Sequence, residues 1–300
     1  METLTGFIPA GGIGSRLNPH TLDTPKPLLL MGSSQRYVID CPLNGCIDNC
    51  DHTWITTYYQ SEKIEKYIPN IPNIRVLHDK KITGNAGSLL EHHKKISQED
   101  PDGDFLIIPS DCVYENFSLT DFWKNHIVSG SEVTLAVVPP KTYGEYVSIR
   151  NEKPQKIISN PTPDSMSTIG IYLMKNKYLL DWLYKIKKIW NGESLNLTKD
   201  IIHPAIYNDN VAVYRLSKNS YWDDTGTILR YHQNNMRLSN NQNVIDNRAQ
   251  IDPNVQLKKC VVLGATEIKN NCSIENAVIS TLENSNKHEI IITKICDFDK

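Results

Sequence analysis

The sequence contains no run of about 18 apolar residues, which excludes an ordinary membrane-spanning helix. Its first residues lack the basic, apolar and small-residue order of a signal peptide, so a cytoplasmic protein is expected. Charge of one sign is also missing. Lysine and arginine total 32 against 34 aspartates and glutamates, a net charge of −2, so no whole-chain field draws the protein to nucleic acid or anionic lipid. Neither partner is expected. The seven cysteines, Cys41, Cys46, Cys50, Cys112, Cys260, Cys272 and Cys296, are odd in number and form no C-x-x-C pair, which argues against a disulfide frame or a structural zinc site. Two phosphate-binding signatures are absent as well. There is no Gly-Lys-Ser/Thr triplet, and Gly12-Ile-Gly14 is followed by Leu17 where a dinucleotide fingerprint needs a third glycine.

What is present is an ordinary globular composition, 39% hydrophobic and 22% charged over 300 residues, enough for one large domain or two smaller ones. From residue 3 to about 138, strand-like runs (52–57, 74–77, 105–108, 133–138) alternate with helix-like segments (37–47, 61–68, 86–96, 119–128). That alternation predicts an α/β, Rossmann-like domain with a mostly parallel sheet covered on both faces. Ligands in such sheets bind beyond the carboxyl ends of the strands. Further on, 145–150 and 155–159 flank a hairpin loop at 151–154, strands follow at 168–174 and 211–216, and 226–238 reads as a final helix.

After Asn240 the pattern changes, placing a boundary between 1–240 and 241–300. Apolar residues recur every sixth position at Ile245, Ile251, Leu257 and Leu263, with a second row at Ala249, Val255 and Val261. The register then slips by one residue and resumes at Ile268 and Ile274. A period of six fits neither helix nor ordinary strand, but it fits a short left-handed parallel β-helix. The extended run after Asn284 is expected to cover an exposed edge.

The chemistry concentrates between Ala10 and Leu30. Gly11, Gly12 and Gly14 let the backbone turn tightly and present bare N–H groups to an anion. For the glycines alone, a simple turn after a first strand is the favoured reading. Arg16, a bidentate fork, and Lys26, a point charge held between Pro25 and Pro27, favour phosphate. Asp111 follows the strand at 105–108, next to Ser110, and Asp224 precedes Gly226. Each alone could be a cap or turn residue. Converging on a phosphate loop, the two would hold Mg²⁺.

Several long segments together resemble the sugar-1-phosphate nucleotidylyltransferase superfamily, and within it the chain is most similar to the ADP-glucose pyrophosphorylase family. They are Gly11-Gly-Ile-Gly-Ser-Arg-Leu17, Pro25-Lys-Pro27, Gly32 to Ile47, Lys199-Asp-Ile-Ile-His-Pro204 and Tyr221 to Met236. The resemblance implies joining of a nucleoside triphosphate and a sugar 1-phosphate into an NDP-sugar, with release of pyrophosphate. It assigns Arg16 and Lys26 to catalysis, and it assigns Ala10, Gly11, Gly12, Gly14, Ser15, Gly84, Ala86 and Ser110 to the nucleotide. Asp111 and Asp224 fall to Mg²⁺, and Gly144, Asn160, Gly170, Asn196 and Trp222 to the acceptor. A homo-oligomer is implied too.

Two departures bear on the acceptor. Glu152-Lys153-Pro154 matches the family's acceptor-gripping triplet but falls too early in the hairpin, and registering the flanking strands puts Asn160 in that place. Asn196 stands where the family has an acidic residue. An amino-alcohol or cyclitol phosphate is therefore an alternative acceptor, and a catalytically silent regulatory subunit is the alternative of a different class. Pro9 has no N–H near the base, and the base is left open.

Overall fold

The computed structural model describes residues 3–32, 35–99, 103–208, 210–284 and 287–295; Cys296 lies outside them. In chain order the elements are β1 Leu4–Pro9, β2 Leu30–Met31, β3 Arg36–Tyr37, α1 Asp40–Asn49, β4 His52–Thr57, α2 Ser61–Tyr67, β5 Ile74–His78, α3 Gly84–Glu99, β6 Asp104–Ile107, β7 Cys112–Glu115, α4 Leu119–Ser129 and β8 Val133–Val138. There follow β9 Tyr146–Arg150, β10 Lys153–Ile158, β11 Ser165–Lys175, α5 Asn176–Ile189, α6 His203–Asn208, β12 Val211–Arg215, β13 Tyr221–Asp224 and α7 Ile228–Leu238. The last part holds β14 Val244–Ile245, β15 Gln250–Ile251, β16 Gln256–Val262, β17 Glu267–Ile268, β18 Ser273–Asn284 and β19 Lys287–Lys294.

The fold is mixed α/β around a mostly parallel central sheet. β1 is its axis, parallel to β4 on one side and to β6 on the other, with β5 parallel to β4 beyond. Successive side chains of a strand point to opposite faces. Accordingly Phe7, Trp54, Phe105 and Ile107 enter one core, while Leu4, Ile8, Ile55, Leu106 and Ile108 enter the other. Burial on both faces is why β1 reads as a continuous apolar run. The antiparallel β11 closes the parallel set against β6 and carries β8 and β9 on its other edge.

Several boundaries differ from the sequence expectation for local reasons. The hairpin turn is only Asn151 and Glu152, both left-handed at φ 50° and 59°, with Lys153 paired to Arg150. Such a two-residue turn matches the strands' twist, so Lys153 and Pro154 belong to β10 and not to the loop. Helix α1 starts at Asp40 because the N–H groups of Val38 and Ile39 donate to Leu29 and Pro27 carbonyls, which ties that segment to residues 27–29, just before β2. Helix α7 starts at Ile228, capped by Thr227, whose Oγ1 accepts from the Arg230 N–H at 3.3 Å. Among the described residues no helix is long and apolar enough to cross a membrane.

Beyond Asn240 the strands pair parallel at a constant offset: Val244 with Val261, Ile251 with Ile268, Leu257 with Ile274, each 17 residues on. The one-residue slip after Leu263 accounts for 17 rather than 18 in the Ile251–Ile268 and Leu257–Ile274 spans, while Val244 and Val261 pair at 17 ahead of it. Strand β19 then runs antiparallel to β18. Val244, Val261 and Val278 share a core with Leu17, Leu29 and Leu30 of the N-terminal loop and Tyr231 and Met236 of α7, so this part packs directly behind the glycine-rich segment.

His20 is a polar link in that interface. Its ring nitrogens meet Ser280 Oγ at 2.7 Å and Thr293 Oγ1 at 2.8 Å, and burial pulls its pKa down to about 4. The folded state holds the neutral ring while the unfolded chain takes up a proton near pH 6.5. Stability carried by His20 is thus complete above about pH 6.5 and is lost as pH falls toward 4, roughly 3 kcal/mol in all. Urea unfolding between pH 7 and 4 should lose stability more steeply for the wild type than for His20→Gln; parallel profiles would contradict this link.

Candidate active site

At the carboxyl end of β1 the backbone leaves the sheet after Ala10, whose N–H donates to the Thr56 carbonyl at 2.7 Å. Gly14 has φ +73°, and a Cβ there would stand 2.9 Å from Lys26 Cβ. Only glycine lets the loop and the Pro25-Lys26-Pro27 segment cross so closely. A short 3₁₀ turn, Ser15–Leu17, buries Leu17 at its end and presents Arg16. A second, Lys26–Leu28, presents Lys26.

The carboxylates arrive from the opposite side by a device that the sequence did not disclose. β7 and β13 form a two-stranded antiparallel ribbon in which Asp224 stands opposite Cys112, one residue past Asp111. The Thr225 N–H donates to the Asp111 carbonyl at 3.0 Å and fixes the junction. Lys26 Nζ donates to Asp111 Oδ2, the two side chains being 12% and 27% exposed. Burial alone would raise the Asp111 carboxyl, but the ammonium of Lys26 and then Arg16 outweigh it and hold it below the usual range. Asp224 is pushed up, first by burial and then by the charge of Asp111, against the pull of Arg230. Asp224 is not a helix cap: its Oδ1 accepts from the Gly226 N–H at 2.6 Å, and its Oδ2 meets Arg230 Nη1 at 2.9 Å.

Arg16, Lys26, Asp111 and Gly226 line one end of a cleft of about 470 Å³. The far wall is the N-terminus of α3, which begins at Gly84 and not at residue 86. Gly84 has φ +77°, and a Cβ on it would lie 2.2 Å from the Leu195 carbonyl oxygen. The Leu195 N–H donates to the Thr83 carbonyl at 2.7 Å, and Asn85 Oδ1 accepts from the Leu197 N–H at 2.8 Å. Residues 194–197 are thereby latched onto the helix start. Asp79 lines the same wall, its Oδ1 held by Ser88 Oγ at 2.8 Å and His92 Nε2 at 2.9 Å.

The profile of the nucleotidyl transferase family matches residues 5–241. This chain belongs to that family. A glucose-1-phosphate adenylyltransferase of Pseudothermotoga lettingae is 28% identical over 268 residues, covering 80% of this chain and 61% of that one. One from Lachnospira eligens is 26% identical, covering 79% and 60%. The chain thus spans about three fifths of these relatives. A bifunctional protein GlmU from Methanocaldococcus jannaschii is 28% identical over 87% of this chain and 60% of its own. In fold the chain is similar to a Bacillus anthracis protein described as a glucose-1-phosphate thymidylyltransferase, crystallised with sucrose. The TM-score is 0.67 at 21% identity, over 78% of this chain and 95% of that one.

In this family member the cleft is lined by Ala10, Gly11, Gly12, Gly14, Ser15, Arg16, Lys26, Gly84, Ser110, Asp111 and Asn196, with Asp224 bound to the adjoining Gly226. Ala86 turns inward and is fully buried in the core; only its N–H, donating to Leu195, faces this wall. Trp222 is built into the other core at 8% exposure and does not line the cleft. Gly170 sits at an irregularity of β11 with φ +74°, against Pro109, and so supports the strand end that carries Ser110 and Asp111. Gly144 and Asn160 are exposed beyond the cleft lining. Sequence reasoning missed Asp79, Asn85, Tyr143 and Arg230. For the last, a cation two residues inside α7 next to the Asp-Thr-Gly run was the available signal. Asp79, Glu91 and His92 also cluster closely, and here the His92 contact orients Asp79.

Proposed function

We propose that this chain transfers a nucleoside monophosphate from a nucleoside triphosphate to a sugar 1-phosphate, releasing pyrophosphate. The observation that carries the reading is the meeting of Lys26, Asp111 and Asp224 where the glycine loop turns. In the reaction an acceptor phosphate oxygen bonds to the α-phosphorus while the bond to the pyrophosphate oxygen breaks. An ionised phosphate needs no protein nucleophile, so the chain contributes positioning and charge. The glycine-loop amides and Arg16 hold the β- and γ-phosphates, and Lys26 neutralises charge on the phosphoryl group in transit. Gly84 and the latched 194–197 segment admit the rest of the nucleotide. Asp111 and Asp224 fit a dication, since each is an oxygen donor and the first raises the second by repulsion. Mg²⁺ held there would supply neutralisation of phosphate charge.

Lys153 is exposed at the start of β10, outside the cleft lining, and Asn160 is exposed beyond that strand. The absence of a cation at either place within the lining keeps a cyclitol or amino-alcohol phosphate as a second reading of the acceptor. Lys153→Ala should leave the acceptor KM within about twofold, as for a surface charge; a rise of tenfold would restore Lys153 as its grip. The reading as a whole is tested by pyrophosphate release with Mg²⁺ across the common nucleoside triphosphates and a panel of phosphorylated sugars, cyclitols and amino alcohols. No release with any pair would refute it.

We further propose that 1–240 is the catalytic domain and 241–300 a short left-handed β-helix with its tail. The 17-residue offset, one short of three six-residue faces, supports that reading. Exposed Ile290 and Ile292 on β19, 43% and 45% accessible, support a homo-oligomer.

A further inference from the structure

We propose that Arg230 is the cation that holds the phosphate of the acceptor in the nucleotidyl-transfer reaction above, in the place left without a lysine. The proposal rests on that reading of the site and on four contacts of one side chain.

Arg230 stands in the first turn of α7, where a side chain leans back toward the helix N-terminus. This carries its guanidinium past Gly226 to Asp224, with the side chain only 12% exposed. Nη1 pairs with Asp224 Oδ2 at 2.9 Å. The guanidinium carbon lies 4.1 Å from the centroid of the Tyr143 ring, and the Tyr143 hydroxyl donates to Asp223 Oδ1, which fixes the ring as a platform. Nε is buried and has no hydrogen-bond partner. The carboxylate thus occupies one corner of the guanidinium and leaves the Nε–Nη2 edge, the edge that grips phosphate in a bidentate fork.

Arg230 lies behind Gly226, the lining residue next to it, and there its Nη2 meets charge of its own sign. The point where a Cβ on Gly226 would stand is 2.6 Å from Arg230 Nη2 and 3.2 Å from Arg16 Nη2. Two guanidinium groups from opposite ends of the catalytic part therefore converge on one glycine, while Asp111 is already paired with Lys26. With Asp223 held by the Tyr143 hydroxyl and Asp111 by Lys26, Asp224 is the carboxylate left beside the two guanidinium groups, and the buried Nε of Arg230 is a donor left unpaired, which is costly unless a further acceptor completes it. Arg16 and Lys26 come from the glycine loop. Arg230 instead rests on Tyr143, in the loop between β8 and β9 next to Gly144. That Tyr143 platform, beside the Gly144 that the resemblance gives to the acceptor, is the ground for assigning Arg230 to the second substrate and Arg16 to the triphosphate.

The test compares wild type, Arg230→Ala and Arg230→Lys with the most active donor and acceptor pair of the panel above, determining the two KM values and kcat separately. Arg230→Ala should raise the acceptor KM about tenfold or more, with the nucleotide KM within about threefold, and Arg230→Lys should recover part of the loss without the fork. An unchanged acceptor KM, or a rise confined to the nucleotide, would overturn the proposal. Should Arg230→Ala fail to fold by circular dichroism, Arg230→Lys and Tyr143→Leu carry the same comparison. If the wild type releases no pyrophosphate with any pair, the nucleotidyl-transfer reading fails. Inorganic phosphate titrated calorimetrically into the same proteins then decides on Arg230 alone: binding about fivefold weaker or more in Arg230→Ala supports the anion grip, and equal binding overturns it.

Discussion

Lys26→Ala should lower the rate of pyrophosphate release at saturating substrates by about 100-fold or more, the usual scale for removing a fixed charge that acts on the transition state. The magnitude follows from how tightly this lysine is placed. Pro25 and Pro27 restrict its backbone, the absent Cβ of Gly14 makes room for its own, and only 12% of its side chain reaches solvent. Nothing else in the glycine loop brings an ammonium to Asp111. Asp111→Asn should fall by a similar factor, because an amide is a poor ligand for a dication and a poor partner for Lys26. The double variant separates the two roles. If the lysine served only to neutralise Asp111, removing both charges would restore activity. If both act on the substrates, the double variant should be no faster than either single one. Initial-rate assays of the three proteins suffice, and rates within threefold of wild type would refute the assigned mechanism.

The parts of this site carried by local chain geometry were legible in the sequence. The glycine loop, Arg16 and the Pro-Lys-Pro segment all lie in residues 10–27, directly after β1, and their spacing alone suggests a cradle for phosphate. The alternation of apolar runs likewise disclosed the parallel sheet, because its strands are buried on both faces. The parts that depend on distant pairing were not legible. Asp111 and Asp224 could be nominated as partners, but only the β7–β13 ribbon brings Asp224 opposite Cys112, and two four-residue strands leave no periodic signature. Trp222 shows the same limit from the other side: its neighbours belong to the site, yet strand alternation turns its own ring into the core. The side chain of Ala86 is turned into the core for a related reason. The small residues after Gly84 open a helix, so successive positions rotate away from the cleft, and the third is already inside. In the C-terminal part the six-residue rows were visible, while the 17-residue offset needed the pairing of strands.

A second large effect is expected at the far wall, where the constraint is purely of backbone. Gly84→Ala should lower Tm by roughly 5–10 °C and raise the nucleotide KM about tenfold or more. Two terms act together. At φ +77° any side chain is strained, at roughly 1 kcal/mol. The added methyl would also stand 2.2 Å from the Leu195 carbonyl oxygen, a main-chain atom that cannot swing aside as the end of a flexible side chain can. Either the start of α3 or residues 194–197 must move, and both line the cleft. The Thr83–Leu195 and Asn85–Leu197 hydrogen bonds that latch them would be lost or lengthened. Gly130→Ala provides the control that divides the terms. Gly130 has φ +61° at the end of α4 with nothing within 4 Å of its missing Cβ, so it carries the conformational strain without the clash. Its variant should melt only a few degrees lower, on the order of 1 kcal/mol, and keep the wild-type nucleotide KM. If the two alanines behaved alike, the contact between Gly84 and Leu195 would not be what shapes this wall. A nucleotide KM raised only in Gly84→Ala would mean that the helix start and the 194–197 segment form one surface against the nucleotide.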